Sequence, residues 1–320
     1  MILFIFSNAA FGSDKEDFDL FVRYYRERNY AMVKNLAKEL IEKPQFRYHT
    51  KLILSEVYFQ ENDFYYSEQL LKELLEEFPD RAAEINKRLE KLDKERRFVS
   101  SKSSEANRRF VVFWREGQQK NETILKEVNE YLDEAYLQAG RFFEWYPEDT
   151  VQIILYYGTE YTDYTVFPIW SQGGYDGKLR IMITQGMPSK ILKELIFHEY
   201  AHLVIAGITK GNCPLWFNEA VAQYFSRKYG LGEEIGVETF KYSYNTFPKN
   251  WTNMPKDEIK TVYKESLMVL VSIVQKSDEA FILNTLQALG KGESFEKAAN
   301  KAVSIYGLSL KDFEKRGGDR

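Results

Sequence analysis

The chain has 320 residues, 44% hydrophobic and 29% charged, with a net charge of −4 at neutral pH. That length predicts about two domains of roughly 100–200 residues each, and the slight acidic excess leaves no basic footprint for nucleic acid. A single cysteine, Cys213, excludes an internal disulfide framework and any cysteine-rich metal cluster. Abundant aromatics, 22 Tyr and 23 Phe against 18 Gly and 8 Pro, predict helices with bulky cores.

The first 14 residues leave two readings open. MILFIF and a small-x-small site, Ala10-Phe11-Gly12 ahead of Ser13, suit a signal for export to the periplasm or cell envelope. The run lacks the basic start and the core of about 7–15 apolar residues that such signals carry. A plain hydrophobic N-terminus on a cytoplasmic protein is the alternative. No stretch approaches the roughly 20 apolar residues of a membrane-spanning helix.

Residues 15–99 carry an internal repeat. LAKELIE at 36–42 and LLKELLE at 70–76 lie 34 residues apart. At the same offset Arg28-Asn29-Tyr30 matches Asn62-Asp63-Phe64, and Tyr24 matches Tyr58. Small Ser55 and Ser67 fall where two helices must approach closely, and Phe78-Pro79 closes the second helix because proline cannot continue one. A charged helical stretch, Ala82 to Arg97, follows as a cap. A 34-residue period of paired amphipathic helices resembles tetratricopeptide repeats, which implies a docking surface for a protein partner. An unrelated pair of helical hairpins is the alternative.

The polar SSKSSEAN, 100–107, predicts a domain boundary. Strands are predicted at Arg109–Trp114, ended by Gly117, at Val151–Tyr157 and at Lys178–Ile183. A helix is predicted over 121–145 and a glycine loop over 171–177. Pro188-Ser189 opens the next helix, with Ser189 as its N-cap, and the chain from Pro214 onward reads as mostly helical. A few strands followed by a run of helices predicts an α+β fold for 107–315.

His198-Glu199-Tyr200-Ala201-His202 sits inside that next helix. At 100° per residue, His198 and His202 share one face about a turn apart, spaced to close on one zinc ion. Glu199 points to the side of that face, placed to take a proton from a zinc-bound water. The third ligand needs another residue. The only other histidine is His49, and positions 205 and 208, where metzincins need glycine and histidine, are both Ile. The next acidic residue after Glu199 is Glu219, predicted on the second turn of a helix begun by Pro214. A connection of about ten residues around Ala206–Cys213 would fold that helix back. His198, His202 and Glu219 make a three-ligand set with an open position, as in catalytic zinc sites. Cys213 beside Pro214 is the alternative ligand.

HEYAH followed by LWFNEAVAQYF resembles the gluzincin metallopeptidases, and within them the peptidase MA-like branch. The resemblance covers roughly 107–315 and implies a thermolysin-like zincin domain, a small mixed sheet plus helices, after the all-α repeats. It also implies one zinc per chain on His198, His202 and Glu219, with Glu199 as general base in peptide-bond hydrolysis. YDGKLRIMI resembles the family's edge strand, so an extended peptide is expected to pair with Lys178–Ile183. ITQGMPSK lacks the acidic residue that anchors a free amine in the large gluzincin aminopeptidases, which disfavours an aminopeptidase and leaves an endopeptidase. Four residues after Glu219, where many gluzincins carry a histidine-orienting carboxylate, this chain has Gln223, a weaker partner for an imidazole N–H. The oxyanion donor is sought among Tyr242, Tyr244 and Tyr263, with Tyr263 preferred because it precedes the apolar helix LMVLVSIV. A repeat-based adaptor with a degenerate, non-catalytic zincin domain is the competing reading.

Overall fold

The computed structural model describes residues 12–99, 102–115, 122–165, 171–236, 242–249, 251 and 254–313. Positions 1–11 and Gly117 lie outside them, and so does the apolar start of the predicted export signal. The chain separates into two compact units, one of Met1–Lys102 with Thr162–Val166, the other of Ser103–Tyr161 with Phe167–Arg320.

The first unit is five helices: α1 (Gly12–Arg26), α2 (Tyr30–Leu40), α3 (Pro44–Gln60), α4 (Phe64–Glu77) and α5 (Ala82–Val99). Helix α1 already includes residues 12–14, assigned above to the N-terminal segment. The 34-residue offset holds at the level of the backbone. Arg28 and Asn62 take left-handed φ values of 59° and 63°. Asn29 N–H then bonds Tyr24 O at 2.9 Å and Asp63 N–H bonds Tyr58 O at 2.8 Å. Each of these Asx residues next caps its helix, Asn29 on Met32 N at 3.2 Å and Asp63 on Tyr66 N at 3.3 Å, caps worth about 1 kcal/mol each. Ser67 Oγ donates to Ser55 O at 2.8 Å, so two small buried residues let α3 and α4 touch. Phe78 ends α4 and Pro79 starts a short 3-10 turn.

The second unit is α+β. Its five-stranded mixed sheet has the order β1-β2-β3-β5-β4, from β1 (Lys102–Ala106), β2 (Phe110–Arg115), β3 (Val151–Tyr157), β4 (Gly173–Tyr175) and β5 (Leu179–Ile183). β2 pairs parallel with β3 and β3 with β5, whereas β4 runs antiparallel to β5. Helix α6 (Glu122–Phe143) links β2 to β3, and a short α7 (Glu160–Tyr164) follows β3. Alternate strand residues Phe110, Val112, Ile153, Leu155, Leu179 and Ile181 point into one core with α6 and α8 (Ser189–Thr209). Beyond lie α9 (Leu215–Phe225), a π-helical turn at Ser226–Gly230, α10 (Lys256–Lys276), α11 (Ala280–Gly290) and α12 (Phe295–Ser304). None of the described helices is long and apolar enough to cross a membrane.

Three expectations change here. The segment predicted as a glycine loop forms β4 and covers β5, so Lys178–Ile183 is an inner strand and β4 is the outer one. The glycines made 173–174 read as loop, but backbone pairing to Ile181 and Arg180 needs no side chain. Pro188, not Ser189, is the N-cap of α8. The Ser189 hydroxyl turns away and donates to Glu127 Oε1 at 2.9 Å. The connection after α8 is also shorter than ten residues, because the helix runs on to Thr209 and only 210–214 remain. Left-handed Lys210 (φ 52°) and Gly211 (φ 77°) make that reversal tight, and Asn212 Nδ2 pins it to Leu289 O at 2.9 Å.

Candidate metal centre

Helix α8 is apolar almost all round, with Leu192, Ile196, Phe197, Ala201 and Val204 buried, and that burial fixes its rotation. His198 and His202 therefore face one direction together. Their Nε2 atoms are 3.1 Å apart. The tight 210–214 reversal lays α9 against α8 and brings Glu219 over the pair, its Oε2 lying 3.5 Å from each Nε2. Donor atoms of the three residues all fall within 4.8 Å of one another, and among the described residues this is the group that could hold a metal ion. Cys213 stands outside it. Burial, reinforced by Glu219, raises its thiol well above the ordinary range.

The donor set fits a metal on more than distance. Glu219 Oε2 is buried and has no regular hydrogen-bond partner, although two imidazole nitrogens face it. Leaving a buried carboxylate oxygen unsatisfied is costly unless something else fills the place. Two imidazoles and a carboxylate are suitable ligands for zinc and leave a fourth position open.

The second ligand is oriented from outside. His202 Nδ1 lies 3.0 Å from Asn218 Oδ1, and an amide oxygen can only accept. Nδ1 therefore carries a proton, which leaves Nε2, on the Glu219 side, as the atom that would bind a metal. Asn218 does the orienting expected of Gln223. Gln223 Nε2 instead donates to Tyr263 O at 2.9 Å, joining α9 to α10. Adjacent helix positions lie 100° apart, so Asn218 and Glu219 straddle the face turned to α8 while Gln223 faces α10. Replacing Asn218 by Ala is expected to weaken metal affinity about 10–100-fold, measured by competition with a zinc chelator of known affinity.

Electrostatics distinguishes the two acids. Burial raises the Glu219 pKa, but His202 and His198 outweigh it and hold the carboxyl well below its usual range. Burial likewise disfavours a charged His202, yet the Glu219 carboxylate facing it raises that pKa from 6.5 to about 9 in the metal-free protein. A histidine raised on folding stabilises fully below its unfolded pKa and loses that contribution as pH climbs through the folded value. The metal-free protein is thus expected to lose stability as pH rises from about 6.5 to about 9. Urea denaturation across that range measures it. Zinc-loaded protein should not show the loss, since a liganding imidazole is already neutral.

Glu199 belongs to the same centre in a different role. It is 4% exposed, and its Oε2 is buried with no hydrogen-bond partner. Burial raises its pKa, opposed by the two histidines and aided by Glu219. Glu199 is absent from the metal-capable group, as expected of a residue on the flank of the His198–His202 face.

Tyr263 lies within α10, ahead of its apolar stretch as expected, and its hydroxyl hydrogen-bonds Glu219. Burial, then the Glu219 and Glu199 charges, push its pKa far up, so the phenol keeps its proton. Tyr242 and Tyr244 pack among aromatics instead, Tyr242 stacking on Phe247 at 5.3 Å and Tyr244 lying 6.4 Å from Phe295.

Comparison of the sequence with protein-family models and with curated proteins finds no match.

Proposed function

We propose that the second unit is a zinc-dependent metallopeptidase of the gluzincin type, with a thermolysin-like arrangement, acting as an endopeptidase. The observation that carries this reading is the meeting of His198, His202 and Glu219 beside a buried, unpartnered Glu199. A structural zinc site would close with four protein ligands, and neither a fourth ligand nor a reason for an idle acid is found in this group.

When bound, zinc supplies a Lewis acid that polarises the scissile carbonyl and makes a water nucleophilic near neutral pH. His198 and His202 Nε2 and the Glu219 carboxylate would hold it, with Asn218 fixing the His202 ring. Glu199 Oε2 takes a proton from the attacking water and returns it to the leaving amine nitrogen. Desolvation suits that acid to both halves of the exchange, because a raised pKa brings it closer to the working pH. The Tyr263 hydroxyl, already a donor beside Glu219, is assigned to the negative charge that develops on the carbonyl oxygen. An extended substrate would add to the outer strand β4, with main-chain bonds tolerant of sequence. The first unit, with its 34-residue backbone repeat, is assigned as a tetratricopeptide-like docking module for substrate or partner.

The test is cleavage of fluorescein-labelled casein by protein containing measured zinc. About one zinc per chain, activity abolished by chelation and restored by zinc, is the expected result. Protein that binds no zinc, or zinc-loaded protein without cleavage, would overturn the reading.

A further inference from the structure

Gly173 is glycine for an unusual reason. Its backbone does not have a positive φ, so no conformational constraint excludes a side chain. Yet a Cβ placed there would come within 2.4 Å of Glu199 Oε1 and 2.7 Å of both Cδ and Cγ. Real Cβ contacts are essentially never that short, and Glu199, itself buried in the centre of the unit, has little room to retreat. The β4 backbone at this residue is therefore a wall against which the carboxylate rests.

That wall is held from two sides. On one side Met182 N–H donates to Gln172 O at 2.8 Å, which makes Gln172 and Met182 the hydrogen-bonded pair of the antiparallel ladder. Pairs alternate along such a ladder, so Gly173, opposite Ile181, turns its N–H and C=O away from β5. The carbonyl meets Tyr161, whose hydroxyl donates to Gly173 O at 2.7 Å and bonds Ser171 Oγ at 2.8 Å. Tyr161 is fully buried, so its ring cannot swing aside without disturbing the core. With its hydroxyl so engaged, it clamps the strand rather than donating to substrate.

We infer that Gly173 and Tyr161 are positioning residues for the acid–base step: the Tyr161 clamp fixes the β4 backbone, and the bare Cα of Gly173 sets where the Glu199 carboxylate stands relative to the His198–His202–Glu219 group. The inference rests on the reading of Glu199 as general base. It explains why 173 must lack a side chain on an otherwise ordinary strand. It also makes the outer strand part of the catalytic geometry as well as a place for substrate to pair.

Two variants and a double-mutant cycle test it. Gly173→Ala should retain one zinc per chain while kcat on labelled casein falls about 100-fold with apparent KM little changed, the scale of a 1 Å misplacement near the chemistry. Tyr161→Phe keeps the ring and frees the Gly173 carbonyl; kcat should fall about 5–10-fold, again with zinc retained. In the Glu199→Asp background the carboxylate is one methylene shorter, and Gly173→Ala should cost less than about twofold more. Neighbours that act through one contact are non-additive in this way. The metal-free protein gives a readout without activity. Gly173→Ala should lower its melting temperature by several degrees in the wild-type background but not in Glu199→Ala. Wild-type kcat in Gly173→Ala, or the same loss in both backgrounds, would overturn the inference. If zinc-loaded wild type cleaves nothing, the function reading fails instead, and the melting cycle still decides whether Gly173 and Glu199 touch.

Discussion

Replacing Glu199 by Gln is expected to lower kcat by about 10²–10⁴-fold, the usual contribution of a positioned general base, with one zinc per chain still bound. The two halves of that result come from different observations. Metal retention follows because Glu199 lies outside the group of converging donor atoms. Loss of turnover follows because an amide cannot take up the proton that Oε2 would carry. Glutamine has the shape of glutamate, so the contact with the Gly173 backbone survives, and misplacement does not confuse the outcome. A further consequence concerns stability. Burial raises the Glu199 pKa, which means the folded state disfavours the ionised form at neutral pH. The neutral amide should therefore leave the melting temperature of the metal-free protein unchanged or higher, a gain in stability where activity is lost. Zinc lost together with activity would make Glu199 a ligand, and unchanged cleavage would remove it from the mechanism.

Much of this architecture could be read from the chain, because the informative signals were local. A 34-residue offset in the sequence became a 34-residue offset in left-handed residues, caps and chain reversals, since Arg28-Asn29 and Asn62-Asp63 each build their own turn. The histidine pair was legible for the same reason: its geometry belongs to a single helix. Glu219 was found by elimination, because no histidine follows His202 and it is the first acid after Glu199. What escaped were contacts set by packing between elements. Asn218 lies 16 positions from His202 and has no spacing rule to announce it; its position immediately before Glu219, on the flank of the same helix face, was the available clue. Gly173 and Gly174 looked like loop because glycine is rare inside strands, while the requirement for glycine came from a glutamate 26 positions away on another element. Ser189 beside Pro188 reads as a cap, but Glu127 on α6 offers its hydroxyl a better acceptor. Helix rotation also decided Gln223: it lies beyond Glu219 on the side of α9 that meets α10, where its amide donates to Tyr263 O.

Glu219→Ala should strip the metal. Four-ligand zinc sites are worth roughly 10–16 kcal/mol in all, or about 2.5–4 kcal/mol per ligand, so affinity should fall about 10²–10³-fold. At micromolar protein and stoichiometric zinc the variant should purify with far less than one zinc per chain, measured by elemental analysis. The same substitution removes the charge that raises His202. Without that partner, burial is opposed only by Glu199 and the Asn218 bond, and the His202 pKa should fall. The metal-free variant should then lack the loss of stability between pH 6.5 and 9 expected of the wild type, and this second readout does not depend on zinc at all. Together the two measurements separate a ligand from a merely structural carboxylate. A structural Glu219 would alter stability and leave zinc in place. A ligand that also pairs with the imidazoles alters both. Cys213→Ser is the matching control: the thiol stands outside the donor group, so zinc content should stay at one per chain. Full zinc in Glu219→Ala with loss in Cys213→Ser would transfer the third ligand to the thiolate, and with it the assignment would leave the gluzincin pattern.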